Sequence, residues 1–340
     1  MALFRRRAEQ VRPLDGVDLV LADLDGVVYT GADPIPHAVE SLNRAAETVR
    51  VGYITNNASR TDASVAEHLN DLGLHVQPAD VVTSPQAAVR LLAQHVAAGS
   101  TILVVGGDGL VDEVQKGGFR VTRSAEDEPA AVIQGFSPDV GWEHLAEAAF
   151  ALQGRSDAER PWVATNTDWT IPVARGIAPG NGTLVSAVHT AVGRLPLVAG
   201  KPEVAIFEEA VSRFGASKPL FIGDRLDTDI MGANRAGIES VLVLTGVDRA
   251  KQLIAADAGS RPTYILDDLR GLSEPYPETE FRKGDAVATV RGATVALEGD
   301  TVRIRAEGES ELDLLRAACA VIWRSGRAIY GLEVPERLYS

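Results

Sequence analysis

The sequence predicts an α/β protein with a doubly wound, Rossmann-like parallel-sheet core, an inserted α/β cap domain and a small C-terminal α+β module. Two observations lead to this prediction. Apolar strands alternate with helical segments along most of the chain, which is typical of a parallel sheet covered by helices on both faces. After Leu272 the pattern changes to short strands, tight turns and a single helix.

The alternation can be assigned element by element from runs of apolar residues and from their helical spacing. The predicted strands are 17–23, 50–55, 101–105, 131–135, 161–165, 219–223 and 240–244. The predicted helices between them include 35–48, 62–72, 84–97, 141–153, 183–192 and 202–214. Two tryptophans in the middle of the chain, Trp162 and Trp169, are expected to be packing residues.

The C-terminal part begins with a segment rich in proline and acidic residues, 273–280, which is typical of a linker. Three short strands are predicted beyond it, at 285–291, 293–298 and 301–306, followed by a helix over 309–325. Glu309 and Glu311 at the start of this helix would repel a pyrophosphate. A role in docking or dimerisation is therefore favoured over an acyl-CoA site.

Composition excludes several classes of protein. The 340 residues are 45% hydrophobic, enough for about two domains with a substantial core. The net charge of −14 argues against a nucleic-acid partner. The lone Cys319 excludes a disulfide framework and a cysteine zinc site. No apolar h-region follows the N-terminal arginines and no run reaches membrane-spanning length, so we expect a cytoplasmic protein without membrane insertion.

The most informative segment is Asp23-Leu24-Asp25-Gly26, which ends the first apolar strand. Ligands of open α/β sheets bind at the carboxyl ends of the strands. Two carboxylates at such an end repel each other. They are usually tolerated because a cation lies between them, or because one acts as a nucleophile and the other transfers protons. The segment therefore predicts a catalytic or metal-binding site at this end of the sheet.

Three more segments carry side chains whose chemistry complements these carboxylates. Thr55, Asn56 and Asn57 end a second strand, Lys201 lies in Gly200-Lys201-Pro202 before a helix that Pro202 could start, and Asp224 to Asp229 follow a third strand. Together the four segments supply carboxylates, hydroxyl and amide donors and one fixed positive charge. This combination of groups suits phosphoryl transfer.

Each carboxylate then has a distinct expected task. Asp23 is the predicted nucleophile, and Asp25 is the predicted general acid and base. Mg²⁺ is the predicted cofactor, with Asp23, Asp224 and a backbone carbonyl, that of Asp25, as ligands. Asp229 is expected behind these ligands, orienting metal-bound waters or Lys201.

The phosphate itself is expected to meet the other groups. Thr55, Asn56 and Asn57 would donate hydrogen bonds to its oxygens, and Lys201 would provide positive charge as a catalytic residue. Two like charges about 4 Å apart repel by roughly 4 kcal/mol at an effective dielectric of about 20. The cations are therefore needed before a phosphate dianion can approach the carboxylates.

In this order the segments resemble the haloacid dehalogenase superfamily, and within it the type IIA phosphatases with the large α/β (C2) cap. The resemblance spans about residues 15–272 and rests on 23–29, 55–57, 164–168, 178–182, 200–202, 223–230 and 241–247. It implies a Mg²⁺-dependent phosphatase of small phosphorylated metabolites. The chain also resembles the mycobacterial type of glycerol 3-phosphate phosphatase, which implies that substrate and a place in glycerophospholipid metabolism.

The resemblance also implies a role for the inserted domain. Too few residues separate Asp25 from Thr55 for a domain, whereas the stretch from Thr55 to Lys201 far exceeds one crossover. The predicted divisions are a phosphatase core at 1–84 and 194–272, a cap at 85–193, and the linker with its module at 273–340. The cap is expected to form a homodimer and to select substrates through Asn166, Asp168 and Arg175.

Several alternatives stay open at this point. Other substrates are 2-phosphoglycolate and nucleoside monophosphates. A phosphomutase would share the aspartyl-phosphate but would carry its cap between Asp25 and Thr55, where this chain has no room. A catalytically silent binding protein is a third possibility, although every expected catalytic position is filled. Asp227 is expected to be an exposed loop residue, and Ser186 and His189 to be ordinary helix residues.

Overall fold

A computed structural model describes residues 11–153, 160–173 and 175–340. The chain divides into two compact units. The first unit comprises the chain up to Val51 together with Ala216–Ser340, and the second unit comprises Gly52–Gly215. The N-terminal arginines considered above lie outside the described residues. Among the helices that are described, none combines the length and apolarity that a bilayer crossing needs.

The first unit contains the predicted parallel core. Four strands pair side by side in the order Leu19–Ala22, Pro219–Gly223, Glu239–Val243 and Tyr264–Leu266. These strands are buried because nearly all their residues are apolar, as expected of strands covered on both faces. The helices of this part are Ala38–Ala46, Met231–Arg235 and Ala250–Ile254, and a short antiparallel pair joins Tyr29–Thr30 to Asp33–Pro34.

The C-terminal part of the first unit is an antiparallel meander with a helix on it. Its strands are Thr279–Arg282, Val287–Val290, Ala293–Glu298 and Thr301–Ala306, and its helix is Glu311–Ser325. The prediction of three strands was wrong by one, because Thr279–Arg282 had been assigned largely to the linker. This strand alternates half-buried and exposed residues, a pattern that the neighbouring prolines and acids obscure.

This meander and helix share one hydrophobic core with the parallel sheet. Cys319 is fully buried there, beside residues of the sheet such as Leu242 and Ile265. Burial raises the pKa of the Cys319 thiol, so the group is an inert packing residue. The C-terminal module is therefore packed against the core rather than tethered beside it.

The second unit contains the end of the strand Arg50–Thr55, which pairs in parallel with Val81–Thr83. A separate parallel sheet has the strand order Leu197–Val198, Trp162–Ala164, Ala131–Gln134, Thr101–Val105 and Arg120–Thr122. A hairpin joins Thr170–Val173 to Gly176–Pro179. The helices are Asp62–Asp71, Ser84–Leu92, Asp108–Lys116, Trp142–Gln153, Asn181–Val192 and Val204–Phe214.

The five-stranded sheet corresponds to the predicted insertion, since three of its strands were expected within 85–193. Its edge strand Leu197–Val198 lies just past position 193. Trp162 is 2% exposed and packs in the core of this sheet. The predicted packing of Trp169 is wrong, because this side chain is 66% exposed beside the hairpin. The domain boundaries themselves remain a prediction.

Candidate active site

Three buried carboxylates meet at the carboxyl ends of two adjacent strands in the first unit. Asp23 follows Leu19–Ala22 and Asp224 follows Pro219–Gly223, and the two strands pair in register. Ligand oxygens of Asp23, Asp224 and Asp229 all lie within 4.8 Å of one another. All three residues are less than 9% exposed. The sequence pattern of carboxylates at strand ends therefore located a real cluster.

Asp229 holds the turn that carries Asp224. Its Oδ2 accepts hydrogen bonds of 3.1 Å from the backbone N–H groups of both Asp224 and Arg225. The π-helical turn Leu226–Ile230 brings it there. Asp227, in contrast, is exposed and forms an ion pair with Arg225, which confirms its predicted exposure, although it lies in the π-helical turn and not in a loop.

Asp25 is not one of the three clustered carboxylates. Its side chain is exposed, and its backbone forms an isolated bridge with Tyr29. The predicted metal role of Asp25 used its backbone carbonyl, and this role remains a prediction. An exposed carboxyl group close in sequence to Asp23 is compatible with proton transfer to and from a substrate.

The segment 245–248, which overlaps the resemblance at 241–247 but has no predicted task, braces Asp224. The backbone N–H of Val247 donates a 2.6 Å hydrogen bond to Oδ2 of Asp224. Asp248 accepts a 2.6 Å hydrogen bond from Leu226 N–H, and Thr245 Oγ1 donates one of 2.7 Å to the carbonyl of Gly26. Burial raises the pKa of Asp248, with the Leu226 hydrogen bond acting in the opposite direction. Apart from that resemblance, the only indication in the sequence of a role for this segment is that it is polar and follows an apolar strand.

The cluster suits a hard divalent cation. Its donors are all carboxylate oxygens, the ligands that Mg²⁺ and Ca²⁺ prefer. Three carboxylates buried this close together repel strongly when all are ionised, because the interior screens charge less than water. A cation held by Asp23 and Asp224, with Asp229 beside them, would remove that repulsion. The residues present therefore fit the predicted metal.

The second unit carries the predicted phosphate-binding residues. Thr55 ends its strand, is 4% exposed, and its Oγ1 accepts a 3.1 Å hydrogen bond from Asn57 N–H. The side chain of Asn57 is exposed and accepts hydrogen bonds from the backbone and hydroxyl of Ser59. None of these residues caps a helix, since the following helix Asp62–Asp71 is capped by Thr61.

Asn56 joins this segment to Lys201. Its Oδ1 accepts a 2.8 Å hydrogen bond from Lys201 N–H, and its Nδ2 donates a 3.0 Å hydrogen bond to the Lys201 carbonyl. Lys201 is 4% exposed. The expectation that Pro202 starts the next helix is wrong. That helix is Val204–Phe214, because Glu203 N–H bonds to Gly200 and closes a turn first.

Two of the three predicted substrate-selecting residues lie in the same network. Asn166 Nδ2 donates a 2.8 Å hydrogen bond to the Asn56 carbonyl, and the Asp168 carboxylate accepts bonds of 3.2 and 3.4 Å from Asn56 Nδ2. Arg175 is exposed in the turn of the hairpin, which ends before the helix Asn181–Val192. Ser186 and His189 lie within this helix, as predicted, and His189 contacts the Arg194 carbonyl.

Comparison with known proteins agrees with this arrangement. Residues 20–120 match the family model described as haloacid dehalogenase-like hydrolase, and residues 198–272 match one described as HAD-hydrolase-like. A D-glycerol 3-phosphate phosphatase from Mycobacterium tuberculosis is 43% identical over 319 residues, which cover 92% of this chain and 87% of that relative.

A solved structure and a second curated relative are also similar. The crystal structure of a glycerol phosphate phosphatase from Mycobacterium tuberculosis in complex with magnesium matches with a TM-score of 0.84 and 41% identity, covering 95% of each chain. A 5′-nucleotidase from Bacillus subtilis is 32% identical over 252 residues, 73% of this chain and 94% of that protein. The chain therefore belongs to the haloacid dehalogenase-like hydrolase family.

Proposed function

We propose that the protein hydrolyses a small phosphomonoester, glycerol 3-phosphate, to glycerol and phosphate. The observation that carries this proposal is the buried cluster of Asp23, Asp224 and Asp229, formed at the strand ends where the family motifs lie. The 43% identical relative is a D-glycerol 3-phosphate phosphatase, which supports the choice of substrate. This reaction would give the protein a place in glycerophospholipid metabolism.

The chemistry follows from the carboxylates. A carboxylate oxygen of Asp23 attacks phosphorus and forms the aspartyl-phosphate, while the bond from phosphorus to the alcohol oxygen breaks. Asp25 gives its proton to the leaving alcohol, and then takes a proton from the water that attacks the aspartyl-phosphate. The bond between phosphorus and Asp23 then breaks, which releases phosphate and regenerates both residues.

The remaining residues bind and orient the substrate. Thr55 and the backbone of Asn56 and Asn57 would donate hydrogen bonds to phosphate oxygens, and Lys201 would supply positive charge. Asp23, Asp224 and the Asp25 carbonyl would hold Mg²⁺, which is supported by the magnesium complex of the similar phosphatase. When bound, the ion supplies charge that neutralises the phosphate oxygens.

Substrate choice has a second candidate. The similarity to a 5′-nucleotidase favours a nucleoside monophosphate as the alternative substrate. The exposed Arg175 in the cap hairpin is a candidate for contact with different leaving groups. Selection by Asn166 and Asp168 remains a prediction.

A panel of phosphoesters tests the function. The purified chain with Mg²⁺ is expected to release phosphate from glycerol 3-phosphate faster than from 2-phosphoglycolate or nucleoside monophosphates at equal concentration. Asp23→Asn and excess chelator should each abolish release, and added Mg²⁺ should restore only the chelated enzyme. The matched control Asp227→Asn changes an exposed aspartate and should keep full activity. Undiminished release in chelator would refute the mechanism, and no release from any substrate would favour a silent binding protein.

Assembly and location are further proposals. We propose a homodimer formed through the second unit, which exposes several large apolar side chains: Trp142, Phe150, Trp169, Ile177 and Leu195. Light scattering should give twice the mass of the chain, and the double variant Trp169→Ser with Ile177→Ser should halve that mass.

A cytoplasmic location is supported by the single cysteine in a chain of 340 residues.

A further inference from the structure

Asn56 holds the backbone of Lys201 in a two-bond clamp. The Lys201 N–H donates to Asn56 Oδ1 at 2.8 Å, and the Lys201 carbonyl accepts from Asn56 Nδ2 at 3.0 Å. These two bonds determine the orientation of the amide, because only its oxygen can accept and only its nitrogen can donate. The side chain that was predicted to bind phosphate is therefore already engaged with the catalytic lysine.

The same amide reaches the cap loop that follows the strand Trp162–Ala164. Asn56 Nδ2 also donates to both carboxylate oxygens of Asp168, at 3.2 and 3.4 Å. In return, Asn166 Nδ2 donates a 2.8 Å hydrogen bond to the Asn56 carbonyl, which also accepts 2.7 Å from Ser84 Oγ. Asn56 is thus bound from its side chain and from its backbone to the loop on which Asn166 and Asp168 lie.

The backbone at Gly200 packs tightly between this loop and the lysine. A Cβ atom at Gly200 would lie 2.5 Å from the Thr165 carbonyl and 2.7 Å from Asn56 Oδ1. The neighbouring Ala199 N–H donates a 3.0 Å hydrogen bond to the Ala164 carbonyl. The backbone entering Lys201 therefore rests directly on the loop, and a displacement of one displaces the other.

The far side of the loop is fixed as well. Asn181, 1% exposed at the start of the helix Asn181–Val192, donates a 2.7 Å hydrogen bond from Nδ2 to the Asn166 carbonyl. Asn166 Oδ1 accepts a 3.2 Å hydrogen bond from Asp168 N–H. We define Asn56, Asn166 and Asn181 as the amide cluster. It links the helix that follows the cap hairpin to the lysine through buried or half-buried hydrogen bonds.

We propose that Asn56 is the positioning residue for Lys201, and that Asn166 and Asp168 act on the reaction through it rather than by selecting the substrate. This inference rests on the proposed function. A lysine that stabilises a phosphoryl group must be held closely, since a displacement of about 1 Å can cost roughly 10²-fold in rate. The amide cluster would hold it there and would make turnover sensitive to the state of the cap loop.

The chain offers a matched control for the clamp. Asn70 makes the same two-bond clamp on a different segment, accepting 2.8 Å from Val76 N–H and donating 2.9 Å to the Val76 carbonyl. Asn56→Ala and Asn70→Ala therefore both remove a two-bond backbone clamp from the second unit, and Asn56→Ala also removes the bonds to Asp168. Only Asn56 contacts the lysine and the loop of Asp168, so a difference between the two variants in activity is due to those contacts.

The first test is a double-mutant cycle on phosphate release from p-nitrophenyl phosphate. Asn56→Ala is expected to lower kcat by about 10²-fold, and Asn70→Ala to leave it within about twofold. In a Lys201→Ala background, Asn56→Ala should lower kcat little further, because the ammonium group that Asn56 positions is already absent. An equal loss in both backgrounds would overturn the proposal. Asn56→Leu, which keeps the approximate size of the side chain and loses its donors and acceptor without adding a charge beside Asp168, serves if the alanine variant fails to fold.

A second test does not depend on activity. The chain has five lysines, and their rates of acetylation by an amine-reactive reagent can be followed separately by mass spectrometry. Lys201 should react more slowly than the other four, and Asn56→Ala should accelerate Lys201 alone. Asn70→Ala should accelerate none of them. If wild-type protein releases no phosphate, the proposed function fails, and an unchanged Lys201 rate in Asn56→Ala would separately overturn the clamp.

The third test separates positioning from selection. Asp168→Asn should lower kcat by a similar factor on p-nitrophenyl phosphate and on glycerol 3-phosphate. The exposed Asp139 provides the matched Asp139→Asn control, which should change neither. A changed ranking of substrates with unaltered kcat on p-nitrophenyl phosphate would show that Asp168 selects the substrate, and would overturn its assignment to the clamp.

Discussion

Gly26 and Asp224 are in such close contact that a Cβ atom on the glycine would lie 2.3 Å from Oδ2 of the aspartate. Gly26 also has a φ of +81°, a conformation that other residues rarely adopt. The glycine of the Asp23–Gly26 segment therefore has two tasks. It makes the turn after the first strand, and it leaves room for the carboxylate that follows the second.

Gly26→Ala is expected to displace Asp224 and to weaken metal binding. Gly118 has the same φ of +81° with nothing within 4 Å of its Cβ position, so Gly118→Ala reproduces only the backbone strain. Each change should cost about 1 kcal/mol of stability from the left-handed conformation. Only Gly26→Ala should raise the Mg²⁺ concentration needed for half-maximal phosphate release. Equal Mg²⁺ requirements in the two variants would contradict the steric argument.

Stability of the second unit should depend on Glu209 at acid pH. Burial acts to raise the pKa of Glu209, but hydrogen bonds and charge from Arg90 and Arg213 outweigh it and hold the pKa below its ordinary value of 4.5. Because the folded-state pKa is the lower one, the stabilisation is present above about pH 4.5 and is lost as the pH falls below it.

Glu209→Gln tests this dependence. The difference in unfolding free energy between wild type and Glu209→Gln should be largest at pH 7 and should shrink as the pH falls toward 3. Urea unfolding at several pH values measures it. The exposed neighbour Glu208 supplies the control, and Glu208→Gln should follow the wild-type curve. A constant difference across this range would mean that the ion pairs of Glu209 make no pH-dependent contribution to the unfolding free energy.

Arg175 should affect substrate choice without affecting the chemical step. Its side chain is exposed in the turn of the cap hairpin. Arg175→Ala is expected to alter the ratio of kcat/KM for glycerol 3-phosphate and nucleoside monophosphates, with kcat for p-nitrophenyl phosphate unchanged. Arg120→Ala changes another exposed arginine of this unit and should alter neither. Equal losses on every substrate would count against selection by Arg175.

Arg316 should stabilise the C-terminal module without serving catalysis. The guanidinium is 8% exposed, donates to the Ile265 carbonyl and to Asp313, and lies 4.6 Å from the centre of the Tyr276 ring. Removing one partner of a buried ion pair costs about 3 kcal/mol or more. Arg316→Met should therefore lower the unfolding free energy, by less than that amount because Asp313 keeps its ion pair with Arg291.

The comparison for Arg316 is an exposed arginine of the same module. Arg303 pairs with Glu298 at the surface, where ion pairs contribute about 1 kcal/mol or less, so Arg303→Met should be nearly neutral. Below its unfolding temperature, Arg316→Met should keep the pH profile of hydrolysis. A shifted profile would indicate that the module takes part in the reaction.

The carboxylate cluster was predictable because its signal is local. Asp23 and Asp224 each end an apolar run, and the rule that parallel strand ends meet at one edge placed them together. Thr279–Arg282 escaped prediction because four alternating residues next to prolines give too short a pattern. The burial of Trp169 was predicted wrongly because large apolar side chains are usually buried, whereas this one is exposed next to the hairpin.

The bonds of Asn56 show what a single sequence cannot reveal. The residue was recognised from its motif, and the type of side chain fits both phosphate binding and backbone clamping. Its partners Asp168 and Lys201 lie 112 and 145 positions away. Only the register of the folded chain decides which of the two tasks the amide performs.

These long separations also bear on the order in which the protein folds. The bonds of Asn56 to Asp168, Asn166 and Lys201 each close a loop of more than a hundred residues, whereas the C-terminal meander pairs strands that are sequence neighbours. Closing a longer loop costs more chain entropy, and distant contacts form later than local ones. During refolding, recovery of phosphate release should therefore lag behind recovery of the circular dichroism signal, so that the chain regains its helices and strands before it becomes an enzyme.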